Sequence, residues 1–316
     1  MNLPSFPMPE PITVIVNSAA RSGQSCAQIE TLPALFEQVG LRVRLIDVRA
    51  GAESDSEIDA VLASRPPVVV AGGGDGTLSA VASRLVGTDI RLGVLPLGTL
   101  NHFAKDLGIP LSLGDAVRVI AVGHSMPIDV GEVNGRIFIN NSGIGLYPDI
   151  VRHRDRQQRT LGRSKWHALA WATWSLLRRY PFVQVRLVIE GRSREFRTPF
   201  VFVGNNKYTM DGLRIGGRYR LDEGLLCLYV AQQPGRLGLL RLALHALVGR
   251  LRQARDFEAL SATELLIETR RKHLHVAADG EVWPMTAPLR YRVRPGALRV
   301  IVPAPAETDQ PGADSG

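Results

Sequence analysis

Residues Val68 to Leu78 read VVVAGGGDGTL: four small or branched apolar residues, a glycine run broken by one carboxylate, and a threonine before the apolar pattern resumes. A short β-branched run bounded by glycines reads as a buried strand, and the spacing from Leu78 to Leu85 reads as a helix starting around Leu78. Gly72, Gly73, Gly74 and Gly76 lack a Cβ, can take positive φ and let another group approach the backbone. At a strand-to-helix junction this suits a nest of amides that binds phosphate. Asp75 sharpens the reading. A carboxylate would repel phosphate unless it bound a metal bridging the phosphates, or accepted the proton of an attacking hydroxyl. A tight turn capped by Asp75 or Thr77 accounts for one or two of these glycines but hardly for all four.

The same alternation extends in both directions. ITVIV at 12–16, RVRLI at 42–46 and LGVL at 92–95 are further strand-like runs, separated by helical spacing such as Ile29 to Val39. Strands alternating with helices imply a parallel sheet covered on both faces, so residues 1–127 read as an α/β domain. After Pro127 the texture changes to strand-like runs at 128–133, 136–140, 183–189, 196–203, 225–230, 264–267, 273–277 and 289–293. Helical segments near 160–179 and 235–256 interrupt them. Residues 128–302 therefore read as a β-sandwich domain. The run Leu298 to Val302, after the turn Pro295-Gly296, suits a return to either domain, and residues 303–316 read as a disordered tail.

Composition narrows the functional classes. The chain has 316 residues, 45% apolar and 22% charged, as expected of a folded protein of two domains. Of 38 basic residues only Lys105, Lys165, Lys207 and Lys272 are lysine, and the net charge is +8. Such a surface favours anions, whether phosphate, nucleic acid or an anionic bilayer, although arginine-rich coding accounts for it equally well. No helix-turn-helix, zinc finger or RNA-binding motif is present, so nucleic acid is not an expected partner. Cys26 and Cys227 form no C-x-x-C pair, and His273 and His275 alternate on a strand without a third ligand, so neither a disulfide framework nor zinc is expected. The N-terminus has no signal-peptide pattern, and Trp166 to Leu177 falls short of the roughly 20 residues a spanning helix needs. A cytoplasmic protein, soluble or peripheral to the membrane, is expected.

No G-x-x-x-x-G-K-[ST] occurs, and Thr77 replaces the third glycine of G-x-G-x-x-G, which excludes the common P-loop and dinucleotide fingerprints. A second glycine turn, Pro96-Leu97-Gly98-Thr99-Leu100-Asn101, follows the next strand. In a parallel sheet both turns open onto one crevice, where Thr99 and Asn101 are placed to offer neutral hydrogen bonds to the same nucleotide.

GGGDGT followed by PLGTLNHFAKDLGIP resembles the diacylglycerol kinase catalytic-domain family, which includes bacterial lipid kinases and the sphingosine and ceramide kinases. The likeness continues in Asn17 with Ser22-Gly23, IDVGEVNGRIFINNSGIG at 128–145, VGNN at 203–206, LDEGLL at 221–226 and ADGE at 278–281. The resemblance implies a nucleotide domain akin to that of NAD kinase, a C-terminal β-sandwich and an active site in the cleft between them. It implies ATP as donor, Mg²⁺, and a lipid hydroxyl, such as that of diacylglycerol, as acceptor. Carried over by position, Asn17, Gly72 to Thr77, Thr99 and Asn101 serve ATP. Asp222, Glu223 and Leu225 serve magnesium, in a motif that usually reads Asp-Gly-Leu. Glu281 or Asp279 accepts the proton, with Asp75 a third candidate. His102 stands where the family usually has aspartate, so either Asp106 substitutes or the network differs. Taken alone, Asp279-Gly280-Glu281 is also a common hairpin turn.

The arginine-flanked segment from Arg152 to Arg179, carrying Trp166, Trp171 and Trp174, has the composition of an interfacial membrane helix. Trp171, Trp174 and Leu177 share one face, which suits a core or homodimer contact as well, and Arg236 to Arg255 poses the same choice. A lipid acceptor at a membrane surface is the expected partner. Two alternatives stand beside the lipid kinase. One is an NAD kinase-like enzyme, disfavoured because Asn140-Asn141-Ser142-Gly143 lacks an adjacent Glu. The other is a non-catalytic nucleotide sensor, disfavoured by the intact carboxylates.

Overall fold

The computed structural model describes residues 11–17, 23–48, 52–145, 148, 182–211, 214–231 and 257–305. The helical segments expected near 160–179, with Trp166, Trp171 and Trp174, and near 235–256, together with Ser22 and residues 306–316, lie outside them.

Strands β1 (Ile12–Val16), β2 (Val43–Asp47), β3 (Val68–Gly73) and β4 (Arg91–Pro96) pair in parallel in the order β2-β1-β3-β4. Helices α1 (Gly23–Glu37), α2 (Ala52–Ala63), α3 (Asp75–Leu85), α4 (His102–Asp106) and α5 (Leu113–Val122) accompany them. Leu78, Val81, Ala82 and Leu85 of α3 are buried, the i, i+3, i+4, i+7 stripe of a helix lying on a sheet. Phe36 and Phe103 are fully enclosed in this core, and burying a side chain of that kind contributes about 1.5–3 kcal/mol.

The sheet does not stop at β4. Strand β18 (Leu289–Ile301) pairs in parallel with β4 through Arg299 and Val300, and antiparallel with β15 (Glu264–Thr269) through Leu289 to Arg292. Beyond β15 come β8 (Val183–Ile189) and β9 (Arg192–Thr198), while β5 (Ser125–Val133) runs along β18 and carries β6 (Arg136–Phe138). Two strand-like runs with a turn between them were expected here. The strand instead passes through Pro295-Gly296, with a register shift against β5 between Arg294 and Leu298 and Gly296 at φ 57, the signature of a bulge rather than a reversal.

A second, antiparallel sheet has the order β14 (Phe257–Ala262), β13 (Leu226–Ala231), β10 (Phe200–Asn205), β7 (Asn141–Gly145), β16 (His273–Ala278), β17 (Glu281–Thr286). Ile144, Val201, Leu228 and Val276 of this sheet pack with Leu187, Ile267, Leu289 and Tyr291 of the first, giving the β-sandwich. The run read as one strand at 196–203 divides at Pro199 into β9 and β10, which belong to different sheets. A small hairpin of β11 (Tyr208–Asp211) and β12 (Arg214–Arg218) leans on α4.

Candidate active site

The chain moves from β1 outward to β2, then returns to the other side of β1 to form β3 and β4. At such a switch point the loops at the carboxyl ends of the strands open a crevice. The registers Val16 to Gly72 and Gly73 to Pro96 bring Asn17, the glycine loop and the turn from Leu97 to Asn101 to that one edge.

Helix α3 begins at Asp75, three residues before the apolar pattern suggested. Gly74 is its N-cap in extended conformation (φ −80, ψ 174), and Leu78 N–H donates to Gly74 O at 3.1 Å. Asp75, Gly76 and Thr77 thus form the first turn, whose amides have no partner within the helix, and a carboxylate there is favoured by the helix dipole. The glycines work differently from the expected positive-φ nest, since none of Gly72, Gly73, Gly74 and Gly76 lies at positive φ. Close approach explains three of the glycines at this edge. A Cβ on Gly72 would fall 2.9 Å from Leu97 Cδ1, one on Gly73 2.7 Å from Thr77 Cβ, and one on Gly98 2.7 Å from Gly74 Cα. The two glycine turns therefore touch backbone to backbone. Gly76 differs: a Cβ there meets no protein atom within 4 Å, so open space lies beside the first turn of α3.

Asp75 Oδ1 accepts the N–H of Phe103 at 3.2 Å, tying the glycine loop to the first turn of α4. Asn101, left-handed at φ 49, donates its amide to Pro96 O at 3.1 Å and Gly98 O at 2.9 Å, which fixes the second turn. Its Oδ1 and the Oδ1 of Asn17 are buried acceptors without a hydrogen-bond partner. Natural folds rarely leave such atoms orphaned, so both are open to a donor from water or a ligand at this edge. Thr99 and His102 are exposed on the same turn.

Asp106, considered as a stand-in for the missing aspartate at 102, is committed elsewhere. Its carboxylate pairs with Arg218 Nε at 2.7 Å and accepts Arg218 N–H at 3.1 Å, and both side chains are almost wholly buried. Arg218 continues to Ile139 O at 2.7 Å, Asn205 O at 3.1 Å and Asn140 Oδ1 at 2.7 Å, and its guanidinium lies 5.4 Å from the centre of the Tyr208 ring. Burial opposes that charge, yet Tyr208 and Asp106 together hold its pKa above the ordinary arginine value.

Asp279 and Gly280 have φ of 48 and 85, and Ala278 pairs with Glu281, so the Asp-Gly-Glu motif is a two-residue hairpin turn joining β16 to β17. The Asp279 side chain turns inward. Its Oδ1 accepts the N–H groups of Asn140 (2.8 Å) and Asn141 (3.1 Å), and its Oδ2 accepts the N–H of Ile139 (2.7 Å) and the hydroxyl of Ser79 on α3 (2.5 Å). These four donors match the roughly four lone-pair sites of a carboxylate. Burial pushes its pKa up, with Ser79 and the three amides pulling against that rise. Glu281 is exposed at the start of β17.

The segment expected to hold magnesium is anchored by protein groups. Gly224 N–H donates to Asp129 Oδ2 at 2.6 Å, Glu223 N–H to Asn206 Oδ1 at 3.2 Å, and Leu225 O accepts Asn206 N–H at 2.9 Å. Asp222 is paired at the surface. Arg220 engages both its oxygens, at 3.0 and 3.1 Å, and that hydrogen bonding holds its carboxyl below the ordinary range. Lys207 and Arg220 share a hollow with Asp222 and Glu223, so two cations already offset the two carboxylates. Among the described residues no group of three or more His, Cys, Asp or Glu converges, so any magnesium here would rest on one or two carboxylates completed by carbonyls and water.

Ser79 and Arg218 were not anticipated. Ser79 follows Thr77 by two residues on a helix whose pattern marks only its apolar face. Arg218 is one of 34 arginines and belongs to no motif.

The sequence model of the diacylglycerol kinase catalytic domain matches residues 11–133, and that of the YegS C-terminal NAD kinase beta sandwich-like domain matches residues 145–302. A probable lipid kinase YegS-like protein of Pseudomonas aeruginosa is 32% identical over 260 residues, 78% of this chain and 80% of that protein. A diacylglycerol kinase of Mycobacterium tuberculosis is 28% identical over 302 residues, covering 92% of this chain and 95% of that one. The crystal structure of a putative diacylglycerol kinase from Bacillus anthracis superposes with a TM-score of 0.70 at 22% identity, over 93% of this chain and 97% of that one, a likeness of fold.

Proposed function

This chain belongs to the diacylglycerol kinase catalytic-domain family, and from that premise we propose that it transfers the γ-phosphoryl group of ATP to a hydroxyl of a lipid such as diacylglycerol. One observation carries the reading. The hydrogen bond from Ser79 to Asp279, across 200 residues of sequence, joins the helix that opens the glycine loop to the hairpin that bears Glu281. A phosphate cradle and a carboxylate turn are thereby held together, as phosphoryl transfer needs.

In this reading the triphosphate lies against the first turn of α3, where Gly76 leaves room and the amides point outward. Asn17 and Asn101 offer their unpartnered Oδ1 atoms to donors on the nucleotide. Asp75, held by Phe103 N–H, is the carboxylate that meets MgATP. Glu281 takes the proton of the attacking hydroxyl, because the four acceptor positions of Asp279 are already filled. Asp279 then acts by fixing the turn. A resident magnesium on residues 222–225 takes no part in this scheme, since the donors there fit it poorly. The acceptor is met at a membrane surface, and no helix among the described residues is long and apolar enough to cross one.

The test is transfer of labelled γ-phosphate from ATP to a panel of lipids in mixed micelles, with NAD and no-acceptor controls, using wild type, Asp75→Asn and Glu281→Gln. Label in one lipid that disappears in both variants supports the proposal. Label in NAD alone, or none despite ATP binding, refutes the lipid acceptor.

A further inference from the structure

The links described above close on themselves. Asp75, the first residue of α3, accepts from Phe103 on α4; Asp106 of α4 pairs with Arg218 on β12. Arg218 grips Ile139 O and Asn140 Oδ1, while the N–H groups of Ile139, Asn140 and Asn141 converge on Asp279. Asp279 returns to α3 through Ser79. Segment 139–141 is thus clamped from both sides, carbonyl and amide oxygens toward a cation, amide N–H groups toward an anion.

We propose that Arg218 and Ser79 are positioning residues of the transfer reaction, holding closed a hydrogen-bonded circuit that fixes the Glu281 hairpin against the glycine loop. The inference rests on the kinase reading above. Neither residue touches the reacting atoms. Arg218 makes contacts to α4, to segment 139–141 and to the end of β10, a set that one planar, multi-donor side chain can satisfy at once and a lysine cannot. Ser79 lies one helical turn beyond Asp75, so it reports the position of the glycine loop directly to the hairpin. A buried ion pair of this kind stabilises little by itself, since desolvation offsets much of its attraction. Its contribution is geometric, and misplacing a catalytic group by about 1 Å can cost on the order of 100-fold in rate.

Opening the circuit at two separate links tests this. Ser79→Ala removes one half-buried hydroxyl. The double variant Arg218→Met with Asp106→Leu replaces the ion pair by apolar groups, leaving no buried charge unpaired. In the full chain each should lower kcat about tenfold, equivalent to about 1.4 kcal/mol of barrier, while KM for ATP stays within about twofold. Amides 139–141 and 279–281 should exchange hydrogen faster in both. Wild-type kcat in folded Ser79→Ala overturns the proposal, as does a fall in kcat matched by an equal rise in KM. Ser79→Ala decides the matter alone if the double variant does not fold. Should wild type itself transfer no phosphoryl group, the kinase reading fails, and the circuit is judged by exchange: unchanged rates at those amides in Ser79→Ala would sink it too.

Discussion

Gly76→Ala separates a loop shaped by protein packing from one shaped for a ligand. Gly76 sits in the first turn of α3, its φ is not positive, and an added Cβ meets no protein atom within 4 Å. Packing therefore raises no objection to alanine, and the helix favours it: replacing glycine at a compatible helical position stabilises by about 0.5–1 kcal/mol, chiefly by restricting the unfolded chain. For a chain of this size that corresponds to a rise in Tm of about 1–4 °C. The nucleotide should respond in the opposite sense. An amide that must come within about 2.9 Å of a phosphate oxygen cannot do so with a methyl group in the way, and losing one hydrogen bond to a charged group costs about 1.5–3 kcal/mol. KM for ATP should then rise roughly 10- to 150-fold. Thermal denaturation of the free protein together with initial rates against ATP measures both quantities on one sample. A variant that melts higher and keeps the wild-type KM would refute the assignment of this space to phosphate.

Gly98→Ala should show the reverse balance: its Cβ would lie 2.7 Å from Gly74 Cα, a backbone atom that cannot yield, so stability should fall by about 1–3 kcal/mol in thermal denaturation and KM for ATP should rise with it. Burial raises the pKa of Asp279, so the folded protein keeps that proton to higher pH than the unfolded chain does. The resulting stabilisation is full below about pH 3.9, the unfolded value, and is lost as pH rises through the folded pKa; Asp279→Asn should flatten that part of the Tm-against-pH curve, and an unaltered slope would assign it to another group. Burial also pushes up the Cys227 thiol, which lies 3.4 Å from Ser261 Oγ, so at neutral pH iodoacetamide should label it at least about tenfold more slowly in the native protein than in urea, with equal rates ruling out a buried thiol.

How much of this was legible in the sequence depended on whether the signal was local. VVVA followed by glycines is a strand and a tight junction on any reading, and β3 and α3 lie there, the helix starting earlier only because a carboxylate and a glycine carry no apolar periodicity. NSGIG has poor strand propensity, so β7 passed unread, although it lies between β10 and β16 in the middle of the second sheet, where pairing on both sides overrides propensity. The bulge at Pro295-Gly296 looked like a turn because proline and glycine mark both. Asp279-Gly280 was legible as a hairpin. That its carboxylate turns inward to collect four donors was not, because three of those donors are amides about 140 residues away and the fourth is on another helix. Arg218 is the extreme case: nothing in a chain of 34 arginines marks it as a residue that the fold buries.

The placement of the hairpin also follows from how the sheet is built. Strand β18 is hydrogen-bonded to β4 near its end and to β15 near its start, so a single strand belongs to both halves of the molecule. Swinging one half away from the other would break ladder bonds along that strand, a cost a hinge in a loop would not incur. The bond from Ser79 to Asp279 and the ion pair from Asp106 to Arg218 tie the same halves at two further points, each on a helix beside the glycine loop. Together with the shared strand, these links leave little freedom for rigid-body closure. Precision at the site therefore comes from rigid elements held in register.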